Sequence, residues 1–336
     1  MGADNLVDHT DDWDRLNACT VGLPILDAAF FQESLRQFGD GGETLVLGRA
    51  GGGLVAAGIL IKQGAASWTT FQPSQAPMGA WLMMPHLDVV DVCSSLQRAL
   101  PSLCLLLGIS QQDPKYLDRP ASVRGVQTLD YIKTACIPFD GTFAEYWSKR
   151  GRNLRQNLKR QRNRLTREKV EIRLEMIEDA GIIGAAVDDY GEIESKGWKG
   201  EKGTALHGTN AQGRFYRAVF ERLAAKGEAL VYRYWYDDNL VASDLCVRRD
   251  GILIILKTAH DEEFGKTSPT HLMRQEYFEQ LFEDGGVRSV EFYGKLMDWH
   301  TKWSEDIRRM YHINSYRWPV LATIRSRLGR NRKTGN

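Results

Sequence analysis

Five cysteines in 336 residues, Cys19, Cys93, Cys104, Cys136 and Cys246, are few, scattered and odd in number, with no C-x-x-C pair among them. That spacing excludes a zinc ribbon or a thioredoxin-type redox motif, and it suits a reduced, cytoplasmic protein that holds no metal. Long apolar runs are missing as well: none approaches the roughly 20 residues of a spanning helix. The acidic segment 1–14 lacks the basic start and apolar stretch of a secretory signal. An excess of one charge is also lacking. Lys and Arg total 44 against 43 Asp and Glu, a net charge of +1, so the chain as a whole has no field that would draw nucleic acid or an anionic membrane. Any such partner needs a local patch.

The chain is long enough, with 43% hydrophobic residues, to bury two cores. We expect a mixed α/β unit over 1–137, a second over 138–320, and a basic tail over 321–336 in which Arg325, Arg327, Arg330, Arg332 and Lys333 offer peripheral contact with an anionic membrane surface. In the first unit, TLVLGR and LVAAGILIK flank Ala50-Gly51-Gly52-Gly53, which reads as a hairpin. No Gly-Lys-Ser/Thr follows, so the triple glycine is not a phosphate loop. A helix over 87–100 and strands over 103–107 and 128–137 complete this half, which carries no cluster of chemistry-bearing residues.

Between Lys149 and Lys169 stand ten Lys or Arg and a single acid, with Leu154, Leu158 and Leu165 on one helical side. The segment predicts a long basic helix, either a solvated face packed through its leucines or a site for a polyanion. Aromatic side chains are absent from the run itself, which argues against nucleic acid.

Beyond it the pattern predicts a strand at 170–176, helices at 177–195 and 211–226, and strands at 229–236, 240–248 and 252–260. Turns fall at Asp237-Asp238-Asn239 and Arg249-Asp250-Gly251. A helix opens at Ser268-Pro269, with Ser expected at its N-cap, and a strand follows at 288–293. A short helix and a last strand-like segment at 308–316, grouped with this second unit, end the order. Strand, two helices, three strands, helix, strand, helix, strand is the order of the GNAT acyltransferase fold.

Local motifs strengthen that likeness. Glu194-Ser195-Lys196-Gly197-Trp198-Lys199-Gly200, then Gly203-Thr204-Ala205-Leu206, resembles the signature of the cellulose-biosynthesis-associated, CelD-like acetyltransferases of the GNAT superfamily. Lys257-Thr258-Ala259-His260-Asp261, Ser268-Pro269-Thr270-His271-Leu272 and Glu291-Phe292-Tyr293-Gly294 are similar to further motifs of that family. The resemblance spans roughly 139–317. Departures are His260 where the family often has Tyr, Glu291 where it usually has Asp, and Asp298-Trp299-His300 where it tends to show Tyr-Lys. What the resemblance implies is a mixed α/β fold of tandem GNAT-like units, each a mostly antiparallel sheet flanked by helices, the first degenerate. It also implies an N- or O-acyltransferase that uses acyl-CoA, acetyl-CoA in particular, on a sugar, a polysaccharide precursor or another polar acceptor.

For the coenzyme's pyrophosphate the residues offered are Phe264, Gly265, Lys266, Thr267, Ser268, Thr270 and His271, at the start of a helix whose free amides and dipole favour an anion. Candidate catalytic groups are Asp244, His260, Glu291 and Tyr293. Asp244 is an acid inside an apolar strand, which needs a partner such as Lys257; His260, at a strand end, offers an imidazole to act as a base or to contact substrate. Glu291 and Tyr293 share a strand face by two-residue alternation. Glu194, Trp198, Lys199 and Lys257 are candidates for binding the acceptor. Two other readings stay open. One is a Fem-like, aminoacyl-tRNA-dependent peptidoglycan ligase, against which the loop 196–210 is too short for that family's helical arm. The other is a non-catalytic polyanion-binding protein of the same fold.

Overall fold

The computed structural model describes residues 1–123, 125–197 and 205–323, which fall into two compact units. The first comprises residues 1–133 together with the segment from 308 onward, and the second residues 134–307.

In the first unit α1 (Thr10–Thr20) and α2 (Ala28–Phe38) precede β1 (Thr44–Ala50), β2 (Gly53–Gly64), β3 (Ser67–Thr70) and β4 (Trp81–Met83). Helix α3 (Val89–Ala99) leads to β5 (Leu106–Gln112), and β6 (Val126–Pro138) runs from this unit into the next. The β1–β2 hairpin forms where the glycines predict it. Gly51 and Gly52 take φ of 57° and 82°, a left-handed region open to glycine, and a strand follows them rather than a helix. Strands run β1-β2-β3-β5, antiparallel except for the parallel β3–β5 pair, with β4 beside β2. The last strand, β12 (Asp306–Tyr316), pairs antiparallel with β5. This differs from the sequence expectation, which grouped 308–316 with the second unit. Tyr311 and Ile313 bury beside Leu107 and Ile109, and partner choice of this kind depends on contacts some 200 residues away that local pattern does not encode.

The second unit holds α4 (Phe143–Ser148), α5 (Arg152–Arg167), β7 (Ile172–Ile177), α6 (Ile183–Lys196), α7 (Ala211–Ala224), β8 (Ala229–Tyr236), β9 (Asn239–Arg249), β10 (Ile252–His260), α8 (Pro269–Asp284), β11 (Ser289–Glu291) and α9 (Asp298–Thr301). The turns β8–β9 and β9–β10 are tight because Asp237, Asp250 and Gly251 accept φ of 51°, 48° and 73°. Strand order is β7-β8-β9-β10-β11, then the end of β6; all neighbours are antiparallel except β10 and β11. Each unit is therefore a mixed, mostly antiparallel sheet flanked by helices.

Alternation along β8 assigns the two faces. Tyr232, Tyr234 and Tyr236 share a core with Leu154, Leu158 and Leu165 of α5 and with Leu272, Tyr277 and Phe278 of α8. Arg233, between them, turns the other way to Glu175 and to Asp189 of α6. Burying each α5 leucine contributes roughly 1.5–3 kcal/mol, which is enough to hold this very polar helix on the sheet. None of the described helices is long and apolar enough to cross a membrane.

Candidate functional site

Strands β10 and β11 pair only over three residues, Ile252–Ile254 with Ser289–Glu291. β10 continues to His260, bonded to β9 on its other edge and interrupted by a register shift between Ile255 and Lys257. β11 stops at Glu291, and Tyr293 takes a φ of 50°, which turns the chain away. The two parallel strands thus diverge into a wedge. Along it the second half of β10 offers main-chain donors and acceptors that no described strand takes up.

Two polar clusters lie at this half of β10, on opposite faces, because Lys257 and Thr258 are consecutive and strand side chains alternate. On the α8 face, Asp244 of β9 is fully buried. Arg274 donates Nε to its Oδ2 and Nη2 to its Oδ1, both at 3.1 Å; Thr258 donates to Oδ1 at 2.6 Å and Tyr277 to Oδ2 at 2.8 Å. The Arg274 guanidinium also lies 4.4 Å from the centroid of the Trp299 ring. Asp244 is therefore held by an ion pair and two hydroxyls, not by Lys257 as the sequence suggested. Register sets Asp244 opposite Thr258, and Lys257 opposite Leu245. With four donors on two oxygens, Asp244 has no lone pair directed at a substrate, and this geometry removes the ground for reading it as a base.

On the α6–α7 face, Lys257 donates to Glu194 at 3.3 Å and to Gln212 at 3.5 Å, with its ammonium 5.2 Å from the Tyr216 ring and 5.9 Å from that of Tyr190. Glu194 accepts from Tyr190 at 3.1 Å and from the Leu206 amide at 2.7 Å. That last bond ties the end of α6 to Leu206. Burial, reinforced by the Glu194 charge, pushes the Tyr190 and Tyr216 hydroxyls up, so both stay protonated donors. Two of the four acceptor candidates, Glu194 and Lys257, thus meet. The other two, Trp198 and Lys199, lie outside the described residues.

The proposed coenzyme segment differs from expectation in form. Glu262–Thr267 is a turn of 3-10 helix, not an open loop. Thr267 is buried, bonded to the Phe264 carbonyl at 2.7 Å and to the Tyr236 hydroxyl at 3.2 Å, and Phe264 packs edge-on to Tyr236. Ser268 adopts the left-handed conformation and makes no side-chain cap bond; its hydroxyl accepts instead from Asn157 of α5 at 3.2 Å. A left-handed φ of 57° turns the hydroxyl out of reach of the first-turn amides. His271 also turns inward. Trp303 donates to its Nδ1 at 2.9 Å, and burial together with the Arg274 charge pushes its pKa down to about 3. Gly265, exposed Lys266 and half-buried Thr270 remain at the surface beside exposed His260.

Glu291 is buried in β11, but Tyr293 follows the end of the strand, so the expected alternation between them does not hold. His300, which stacks on Trp299 with centroids 3.6 Å apart, has its pKa pushed down to about 4 by burial and by Arg274. Sequence reasoning missed Arg274 altogether. The available signal was its place among Met273, Tyr277, Phe278 and Leu281 on the apolar face of α8, where a cation implies a buried acid.

Comparisons with known proteins agree with this architecture. Residues 152–301 match the family model described as an acetyltransferase (GNAT) domain. FemX has a TM-score of 0.56 at 12% identity, covering 94% of this chain and 98% of that one. The C-terminal domain of a lysylphosphatidylglycerol synthetase candidate from Agrobacterium fabrum has a TM-score of 0.55 at 14% identity, covering 93% and 92%. A conserved protein of unknown function from Bacteroides thetaiotaomicron has a TM-score of 0.57 at 9% identity, covering 91% and 97%. At these identities the likeness is one of fold. No curated protein sequence matches the chain. Within the second unit, residues 152–301 are thus similar to a GNAT-type acetyltransferase domain, and the narrower CelD-like likeness rests on the sequence motifs alone.

Proposed function

We propose that the second unit transfers an acyl group, acetyl in the first instance, from an acyl-CoA to an amine or hydroxyl of a polar acceptor of sugar type. The observation that carries this reading is the wedge between β10 and β11. An extended chain bearing amide groups, such as a pantetheine arm, can enter it and bond to the main chain of β10 as an added strand would. The phosphates then lie outside, toward Gly265, Lys266 and Thr270, where no bulky side chain intervenes and a cation is available.

In the transfer, the acceptor's nitrogen or oxygen attacks the thioester carbon, its proton passes to a base, the carbon–sulfur bond breaks, and the sulfur takes up a proton. His260, exposed at the open end of β10 beside Gly265, is assigned with the phosphate end of the coenzyme, and the acceptor's proton is assigned to water at the thioester. Tyr293, at the narrow end, is assigned to protonate the departing sulfur. Glu194 holds the Leu206 amide and Lys257 at the end of α6, and we assign the segment that follows, with Trp198 and Lys199, to the acceptor. A cation, a carboxylate and an indole together suit a ring bearing hydroxyl or amino groups.

The test is thiol release from acetyl-CoA against a panel of amino sugars and sugar alcohols, run beside thermal shift with acetyl-CoA, longer acyl-CoAs and free CoA. A rise in melting temperature with CoA compounds and acceptor-dependent thiol release is the expected result. Absence of both would leave the non-catalytic reading in its place.

A further inference from the structure

We propose that the outer face of α5, together with Trp147, is a binding surface for single-stranded RNA. This goes beyond the acyl-transfer reading and does not depend on it. Three leucines of α5 point into the core, so the remaining sides face outward. Arg162 and Arg164 pair with Glu276 and Glu168. Arg152, Arg155, Lys159, Arg160 and Arg167 are exposed and make no ion pair with a carboxylate among the described residues. Over 16 residues this array extends about 24 Å, several phosphate spacings of a nucleic-acid strand.

The surface carries two shallow, open hollows. One cleft of about 530 Å3 is lined by Trp147, Arg152, Arg155, Lys159 and Gln275, and a second of about 720 Å3 continues from Lys159 past Arg160 to Arg167. The aromatic group absent from the basic run is therefore supplied by α4, folded against it. Trp147 is half-buried, backed by Phe143 and Trp303, which holds its ring fixed. Gln156 and Gln275 add side-chain amides suited to base edges. Cations that track a backbone, with a fixed ring in a cleft, are the elements of single-strand recognition. An anionic bilayer is the weaker fit, because it is planar and because no apolar side chain of α5 stands exposed on this face to insert.

The experiment is fluorescence anisotropy of a labelled 20-nucleotide oligouridylate titrated with the full chain between 50 and 300 mM NaCl, beside co-sedimentation with vesicles containing 30% phosphatidylglycerol. Saturable binding is expected, with log Kd rising with log salt at a slope of about 2 to 3, as for three or four phosphates neutralised. Changing Arg152, Arg155 and Lys159 together to Gln should weaken binding at least tenfold and lower the slope by about 2. Trp147→Phe should weaken binding severalfold at unchanged slope. Both proteins' melting curves are recorded, and the charge variant, altered only at exposed positions, keeps the fold. No saturable RNA binding, binding indifferent to the triple change, or sedimentation with vesicles without RNA binding would each overturn the proposal. Acetyl transfer to a sugar, measured separately, is unaffected by any of these outcomes.

Discussion

Arg274 meets Asp244 through two bonds of equal length, Nε to Oδ2 and Nη2 to Oδ1 at 3.1 Å, with both side chains almost wholly removed from water. Removing one partner leaves a buried charge unanswered, so Arg274→Met or Asp244→Asn should cost about 3–5 kcal/mol, read as a lower urea midpoint at unchanged slope. Asp244→Leu combined with Arg274→Met removes both charges and should recover most of that loss. The double variant also separates roles. If it folds yet transfers acyl groups more than a hundredfold slower than the parent, Asp244 takes part in proton transfer after all.

On the opposite face of β10, the Glu194–Lys257 pair stands at the end of α6, where Glu194 also accepts from the Leu206 amide. Glu194→Gln keeps an acceptor for the Leu206 amide but withdraws the charge that answers Lys257. We expect kcat/KM for the acceptor to fall about tenfold, with acetyl-CoA affinity within twofold of the parent and stability lower by about 1–3 kcal/mol. Unchanged acceptor kinetics in a folded protein would mean that the Glu194–Lys257 pair serves packing alone.

Strands β8 and β10 and the hairpin turns between them were legible because alternation and the Asp-Gly signals are local properties of the chain. Helices α1 and α2 were not read, and neither were β3 and β4, whose lengths of four and three residues are too short to carry a period. At the site, Asp244 was read as an acid in need of a partner with Lys257 offered for it, whereas the structure pairs Asp244 with Arg274 and Lys257 with Glu194. The face on which a strand residue lands follows from the register, and the shift between Ile255 and Lys257 is invisible in the sequence. Arg274 escaped notice because a cation in an amphipathic helix reads as solvated until its rotation about the helix axis is known.

Two histidines make the fold sensitive to acid. His271 and His300 have pKa values pushed down to about 3 and about 4 from an ordinary value near 6.5, by burial and by the Arg274 charge. The unfolded chain therefore binds more protons than the native one below pH 6.5. Their contribution to stability is complete above that pH and is lost as pH falls toward 4 and then 3. At pH 5 each should cost on the order of 2 kcal/mol relative to pH 7. His271→Gln preserves an acceptor for the Trp303 indole N–H but cannot titrate. Calorimetry at pH 7 and pH 5 should show a smaller drop in Tm for that variant than for the parent; equal drops would place the acid sensitivity elsewhere.

Gly265 offers the most direct test of where the coenzyme lies. Its φ is not in the left-handed region, and a Cβ built there would have His260 Nε2 as its nearest neighbour, at 3.9 Å, an ordinary contact. The backbone thus has no need of glycine for its own sake, and Gly265→Ala should leave both fold and binding close to the parent. Gly265→Trp places a ring over the surface where the phosphates of an acyl-CoA would approach α8. It should keep Tm within a few degrees, since a Cβ there meets no heavy atom closer than 3.9 Å, while weakening acetyl-CoA binding at least tenfold by calorimetric titration. The pair of substitutions matters more than either alone. A coenzyme bound along β10 is hindered by the ring and indifferent to the methyl, whereas one bound elsewhere is indifferent to both, and that second pattern would remove Gly265, Lys266 and Thr270 from the site.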